Sequence, residues 1–141
     1  MATVRITSDA RAGYLKEVVF LAGSAGKLTV YTAPMPSTGG GAVGSAVQLG
    51  QILLADPMGT VAWNAGSSSH RLTFNASTPD TSADADGVAA WIRITDMSSA
   101  WVADFDVTAS GGGGAFIISN TNIYNGGTIS IASAVISLPL A

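Results

Sequence analysis

Three aspartates and a closing glycine fall within the ten residues of "TPDTSADADG" (78–87), in a chain where only 11% of residues are charged. Carboxylates at alternate positions ahead of a glycine begin a calcium-binding loop, in which oxygens wrap the ion and the glycine permits the sharp turn. With Gly87 in the glycine place, Asp86 and Asp84 take the fifth and third places. Ser82 then stands at the first and Arg93 at the twelfth, where a bidentate glutamate belongs. The motif also needs flanking helices, and the neighbouring sequence is strand-like. Asp80, Asp84 and Asp86 are therefore candidate ligands of an irregular oxygen cage only. The main expectation is a turn whose Asp, Ser and Thr side chains bond nearby backbone.

Other constellations fall short of chemistry. "GSAGK" (23–27) ends like a phosphate loop, yet Leu21 replaces the first glycine of that pattern and Leu28 its Ser or Thr. His70 is the single histidine, preceded by Ser67, Ser68 and Ser69. Neighbours on one turn do not make a nucleophile–base pair, and no G-x-S-x-G elbow occurs. Asp104 and Asp106 share a strand face and so have the placement of an acid–base pair. With Asp96 and Arg93 nearby, a solvated sheet face accounts for all four. Trp63, Trp91 and Trp101 offer rings for sugar stacking, but core or subunit contact suits most of them better. "NAS" (75–77) matches a glycosylation sequon, which is set aside because no signal peptide is read. No catalytic set and no cofactor site emerges, so the chain is not read as an enzyme.

Composition narrows the partners. The net charge is -3 and the six basic residues are scattered, which argues against nucleic acid, whose phosphates need a cluster of Lys and Arg. Mean hydropathy is +0.41, yet no run approaches the roughly 20 apolar residues that cross a bilayer. "MATVRITSDA" has no basic segment ahead of an apolar one, so no secretory signal is expected. There is no cysteine, which leaves neither disulfides nor thiolate metal sites. A chain with 11% charged residues, against about 25% in an average domain, is expected to hide surface in an assembly; the alternative is a monomer with a Ser/Thr/Asn/Gly surface.

One helix is predicted, in "SDARAGYLKEVVFLAG" (8–23), with Ser8 as N-cap and Gly23 as its stop. Tyr14, Leu15, Val18, Val19 and Ala22 mark its apolar face, with Arg11, Lys16 and Glu17 away from it. Strands are expected at 27–33, 47–56, 60–64, 70–75, 87–96, 100–107, 115–124 and 128–140. The Pro/Gly/Ser stretch 34–46 reads as an exposed, mobile loop. Residues 97–99 turn a hairpin in which Trp101, Ala103, Phe105 and Val107 share the packed face, and "SGGGG" (110–114) breaks the chain. Asn125-Gly126 is expected to turn a second hairpin, and a bulge near Ser133 reconciles a one-residue slip in the last strand. The fold class is mainly β, a β-sandwich or jelly-roll-like single domain of about eight strands with one short N-terminal helix. Residues 1–26 form the arm and helix, and 27–141 the β core.

Together "LTVYTAPMP" (28–36), "TPDTSADADGVAAWIRITD" (78–96), "VADFDV" (102–107) and "NGGTISI" (125–131) resemble a family of small virion structural proteins of tailed bacteriophages and prophages. The similarity spans most of 27–138. The resemblance implies a capsid decoration or cement protein, made in the bacterial host cytoplasm and carried on the outer capsid surface. Its partners would be the major capsid protein and further copies of itself, as a trimer or dimer, with no nucleic acid, membrane or cofactor. The alternative is a tail, baseplate or carbohydrate-adhesion module. Candidate contact residues are Tyr14 and Val18 on the helix, Pro34, Met35 and Pro36 on the loop, and Trp63 and Trp91 on strands. The N-terminal segment and the 34–46 loop are the expected shell contacts.

Overall fold

The computed structural model describes residues 7–139. Its elements in chain order are α1 (Ser8–Ala22), β1 (Lys27–Thr32), β2 (Gln48–Leu53), β3 (Gly59–Asn64), β4 (Ser69–Phe74), β5 (Gly87–Thr95), β6 (Trp101–Thr108), β7 (Phe116–Ile118), β8 (Asn122–Ile123) and β9 (Ile131–Pro139). The mainly-β class with one N-terminal helix is as the sequence implies. The expected run 115–124 divides into β7 and β8. The N-terminal arm, expected as a shell contact, lies in residues outside those described.

All nine strands form one sheet in the order β2-β1-β5-β6-β7-β9-β4-β3, with β8 added on β5. Four strands stand on one side of the three-residue β7 and three on the other, and the sheet curls so that both halves enclose one core. Leu28, Val30, Leu49, Ile52, Ile92 and Ile94 from the first half join Leu72 and Ala134 from the second. Phe116 of β7 sits at the join, 4.8 Å from the Phe74 ring and 5.6 Å from the Phe105 ring. Truncating such a buried ring to alanine costs about 3–5 kcal/mol.

β6 and β7 are parallel, with Val107 opposite Phe116 and Thr108 opposite Ile117. Parallel neighbours ordinarily need a crossover of about a dozen residues or more, and here only 109–115 intervene. The glycine run makes the short path feasible. Gly111 and Gly113 adopt φ of 85° and 78°, and a Cβ on Gly112 would fall 2.5 Å from Thr108 Cβ. The Gly114 N–H then donates to Thr108 Oγ1 at 3.0 Å and the Ala115 N–H to Asp106 Oδ1 at 3.1 Å. "SGGGG" is thus the joint between the two halves rather than a simple break.

Two local expectations resolve differently. The slip in the last strand is a bulge: Ile117 opposes Ser133 and Ile118 opposes Ile131, so Ala132 has no partner. The second hairpin does not form. β8 pairs with β5, β7 pairs with β9, and 125–127 is the tip of an excursion between them. The Asn-Gly tip has found other partners, since the Gly126 N–H donates to Ala83 O at 2.7 Å and the Ala83 N–H to Gly127 O at 2.9 Å.

α1 packs on β3, β4 and β6. Its N-cap is Thr7, one residue before the expected Ser8, and Thr7 Oγ1 accepts from the Ala10 N–H at 3.2 Å. Gly23 ends it at φ 66°, with its N–H bonded to Val19 O. The buried stripe is Arg11, Leu15 and Ala22, at i, i+4 and i+11, with Ala12 buried beside it and Val18 and Val19 half-buried along it. Arg11 therefore faces inward at 6% exposure, and Tyr14, expected on that stripe, faces out.

Candidate functional site: the two sheet edges and the strap

The Asp-rich loop lies along the outer edge of β2, whose other edge is paired with β1. Asp80 Oδ2 accepts from the Gln51 N–H at 3.0 Å and Asp80 Oδ1 from the Ser82 N–H at 2.9 Å. The Asp84 N–H donates to Leu49 O at 2.8 Å, and Asp84 Oδ2 accepts from Gln48 Nε2 at 2.9 Å. Asp80 and Ile129 exchange backbone bonds at 3.0 and 2.7 Å. Asp86 Oδ1 accepts from the Asn125 N–H at 2.7 Å, while Asn125 Nδ2 donates to Asp84 O at 2.8 Å. The loop thereby supplies the partners that a neighbouring strand would give β2, and it anchors the Asn-Gly tip.

This geometry overturns the oxygen cage. The three carboxylates turn to separate donors on Gln51, Ser82, Gln48 and Asn125, and no group of three or more His, Cys, Asp or Glu suited to a metal ion exists among the described residues. Both oxygens of Asp80, Oδ2 of Asp84 and Oδ1 of Asp86 already accept amide N–H groups, which a cation would have to displace. The turn expectation holds, and its purpose is to cover an edge.

The 34–46 stretch is exposed, as expected, and is tied down as a strap at Gly40 and Gly41. Arg93 grips Asp104 through Nε–Oδ1 at 2.7 Å and Nη2–Oδ2 at 2.9 Å, with side-chain exposures of 12% and 7%. The same pair takes hold of the strap: Arg93 Nη2 donates to Gly41 O at 2.9 Å, and the Gly40 N–H to Asp104 Oδ2 at 3.2 Å. The Trp101 ring lies against Gly39 and Gly40 so closely that a Cβ on either would stand 2.7–2.8 Å from a ring atom. Burial draws the Asp104 carboxyl upward, but the hydrogen bonds from Arg93 and the Gly40 amide outweigh it, and the group titrates below its ordinary range. The bond to Asp104 outweighs burial at Arg93 and raises that guanidinium further. The face expected to be solvated around Asp104 is therefore covered.

Two tryptophans change roles. Trp91 is fully buried, stacked on Tyr31 at 4.5 Å, with its Nε1–H donated to Thr32 O at 2.8 Å and Arg93 Cζ 5.3 Å from its ring. It is an internal prop and unavailable to a partner, which corrects its place among the contact residues. Trp101 leaves the packed face because the register slips: Ile94 opposes Ala103 but Thr95 opposes Trp101, so Val102 is unpaired. That bulge turns the indole onto the strap, 48% exposed.

The opposite edge, β3, is different. It pairs only with β4, in unbroken register from Gly59–Phe74 to Asn64–Ser69. Among the described residues no loop or side chain bonds its outer backbone groups. An apolar groove of about 480 Å³ between α1 and β3 is lined by Lys16, Val19, Phe20, Pro57, Thr60 and Val61. Phe20 is 75% exposed and Trp63 46%, the latter edge-on to His70 at 5.0 Å. Of the other contact candidates, Tyr14, Pro34 and Met35 are exposed, Pro36 is half-buried, and Val18 packs partly on the core.

The sequence reading missed Phe20, the Arg93–Asp104 latch and the bare β3 edge. A signal for the first was present, since Phe20 and Leu21 add large apolar side chains outside the face read from Tyr14, Leu15, Val18, Val19 and Ala22. The third had one as well: 57–69 holds no Asp, Glu, Lys or Arg. The latch had none, because only the strand register sets Arg93 opposite Asp104. The chain matches no family model, no curated protein and no solved structure.

Proposed function

We propose that this chain is a structural protein of a tailed-phage virion, a capsid decoration or cement protein that self-associates and bridges neighbouring major capsid subunits on the outer surface of the head. The observation that carries this reading is the surface. Eleven large apolar side chains are exposed among the described residues, including Tyr14, Phe20, Met35, Trp63, Trp101 and Tyr124, in a chain with 11% charged residues. Such a surface suits subunit contacts, where apolar area is removed from water on assembly. The sequence resemblance to phage virion proteins points the same way. The mechanism is mechanical: a rigid β domain contacting two shell subunits resists their separation, because opening one contact strains the other.

Quantitative mass spectrometry of purified particles tests this. Copies near parity with the major capsid protein support lattice decoration. A few to a few tens of copies move the chain to the tail or portal vertex, and absence from clean particles removes the virion reading. The adhesion alternative is favoured by one observation, the exposed indole of Trp101 held flat on a glycine platform. Saturable binding on a glycan array, lost in Trp101→Ala, would select it.

A further inference from the structure

We propose that β3 is a self-pairing edge, on which two copies join their β3 strands antiparallel about a two-fold axis through Ala62, each inserting Trp63 beside Phe20 of the other. The contact gives the self-association in the reading above its surface and rests on that reading for its purpose, though not for its measurement.

Three observations select this edge and this occupant. In an antiparallel pair every second residue of an edge strand turns its N–H and C=O outward, and a second extended backbone can pair that whole row at once. Exposed edges are ordinarily blunted by charges, proline, bulges or a covering loop. β2 has its loop. β3 has no proline, its register with β4 is unbroken, and no Asp, Glu, Lys or Arg lies between 57 and 69. Nothing along the strand repels a second copy of itself.

The register follows from the side chains. Gly59, Val61 and Trp63 alternate with Thr60, Ala62 and Asn64. An axis through Ala62 sets Ala62 against its own copy, Val61 of one copy against Trp63 of the other, and Thr60 against Asn64. The face that carries Val61, which is packed on the core, then receives an aromatic–β-branched pair, among the favourable cross-strand combinations. The face with Thr60 receives two polar side chains. Val61 also lines the groove with Val19, Phe20 and Pro57, so the indole that meets Val61 enters that groove. Because the contact is isologous, each copy gives one indole and one groove.

The area fits a weak dimer. A large aromatic side chain buries about 150–250 Å² when fully covered, and here 75% of Phe20 and 46% of Trp63 remain open. Even with the strand backbone the contact stays below about 1,200 Å² in total, in the range of weak and transient complexes. A reversible dimer of micromolar affinity is expected, suited to a lattice that adds many such contacts.

Sedimentation equilibrium of the full chain, from about 1 to 200 μM, tests the proposal. A monomer–dimer equilibrium is expected. Ala62→Lys and Ala62→Glu should each raise the dissociation constant at least about 10-fold, because each opposes like charges. An equimolar mixture of the two should pair again, and thermal melts matching the parent would show both variants folded. Trp63→Ala should weaken pairing by about 30-fold, as a buried interface aromatic does. A chain that stays monomeric throughout, a dimer indifferent to both Ala62 variants, or variants that separate but do not pair when mixed would each overturn it. Particle composition tests the function independently: dimers from a chain absent from virions would leave this contact standing and remove the virion role.

Discussion

The two halves of the sheet are finished in opposite ways. The half built from β2, β1, β5 and β6 is tied by polar side chains that reach across the sequence. Asp80 holds β2, Asp86 holds the Asn125 tip, and Arg93 with Asp104 holds the strap. The half built from β9, β4 and β3 has α1 over it, and among the described residues its side-chain hydrogen bonds stay near its own strand ends, such as Ser67 to Asn64 and Asn75 to Pro57. One edge is covered and the other, among the described residues, is bare. Strands of equal length and similar low charge therefore differ in whether they can accept a neighbour, and what separates them is the loop that follows β4.

Removing the cover is the strongest way to break this contrast. Asp80→Ala leaves the Gln51 and Ser82 amides without their carboxylate and should cost about 2–4 kcal/mol, read as a lower urea midpoint. It also uncovers a second edge on each copy, so light scattering should show association beyond dimers. Asp86→Ala removes one charged acceptor of a backbone amide and should cost about 1–2 kcal/mol. Asp84→Ala loses only an exposed bond from Gln48 and should stay within about 1 kcal/mol. A flat series across the three aspartates would show that the loop does not act as an edge cover.

The strap offers a subtler test. Asp104→Asn should cost about 1–3 kcal/mol at neutral pH and speed hydrogen exchange across 34–46 while β1 and β5 stay protected. The folded-state carboxyl titrates below its unfolded value, so its contribution is complete above the unfolded pKa, about 3.9, and is lost as pH falls through the folded pKa. The stability gap between parent and variant should therefore be constant from pH 5 upward and close on acidification. A gap unchanged at low pH would mean that the pair packs rather than binds by charge. The smallest expected effect is that of calcium: millimolar Ca²⁺ should leave the melting temperature unchanged, and a clear rise would reopen the Asp80–Asp84–Asp86 cage.

Much of the sheet was legible in the sequence, strand by strand. Alternation in 27–33 and 87–96 marks β1 and β5, and the slip in the last strand marks the bulge at Ala132, because side-chain period alone reports such features. Periodicity reports one strand at a time, however. It placed Trp101 with Phe105 on the packed face, and the unpaired Val102 sends it to the other. It made Asn125-Gly126 a hairpin, where the stronger partners lie forty residues back in the Asp-rich loop.

The sequence by itself determined a mainly-β chain with one N-terminal helix, a surface poor in charge and a polar turn at 78–87, since these follow from composition and local period. Only the tertiary structure decided that this turn covers β2, that Arg93 and Asp104 strap down 34–46, that Trp91 is an internal prop and that no described residue covers β3. Each of those depends on which residues the strand register brings together, and register is set by the burial of the whole core rather than by any stretch of the chain.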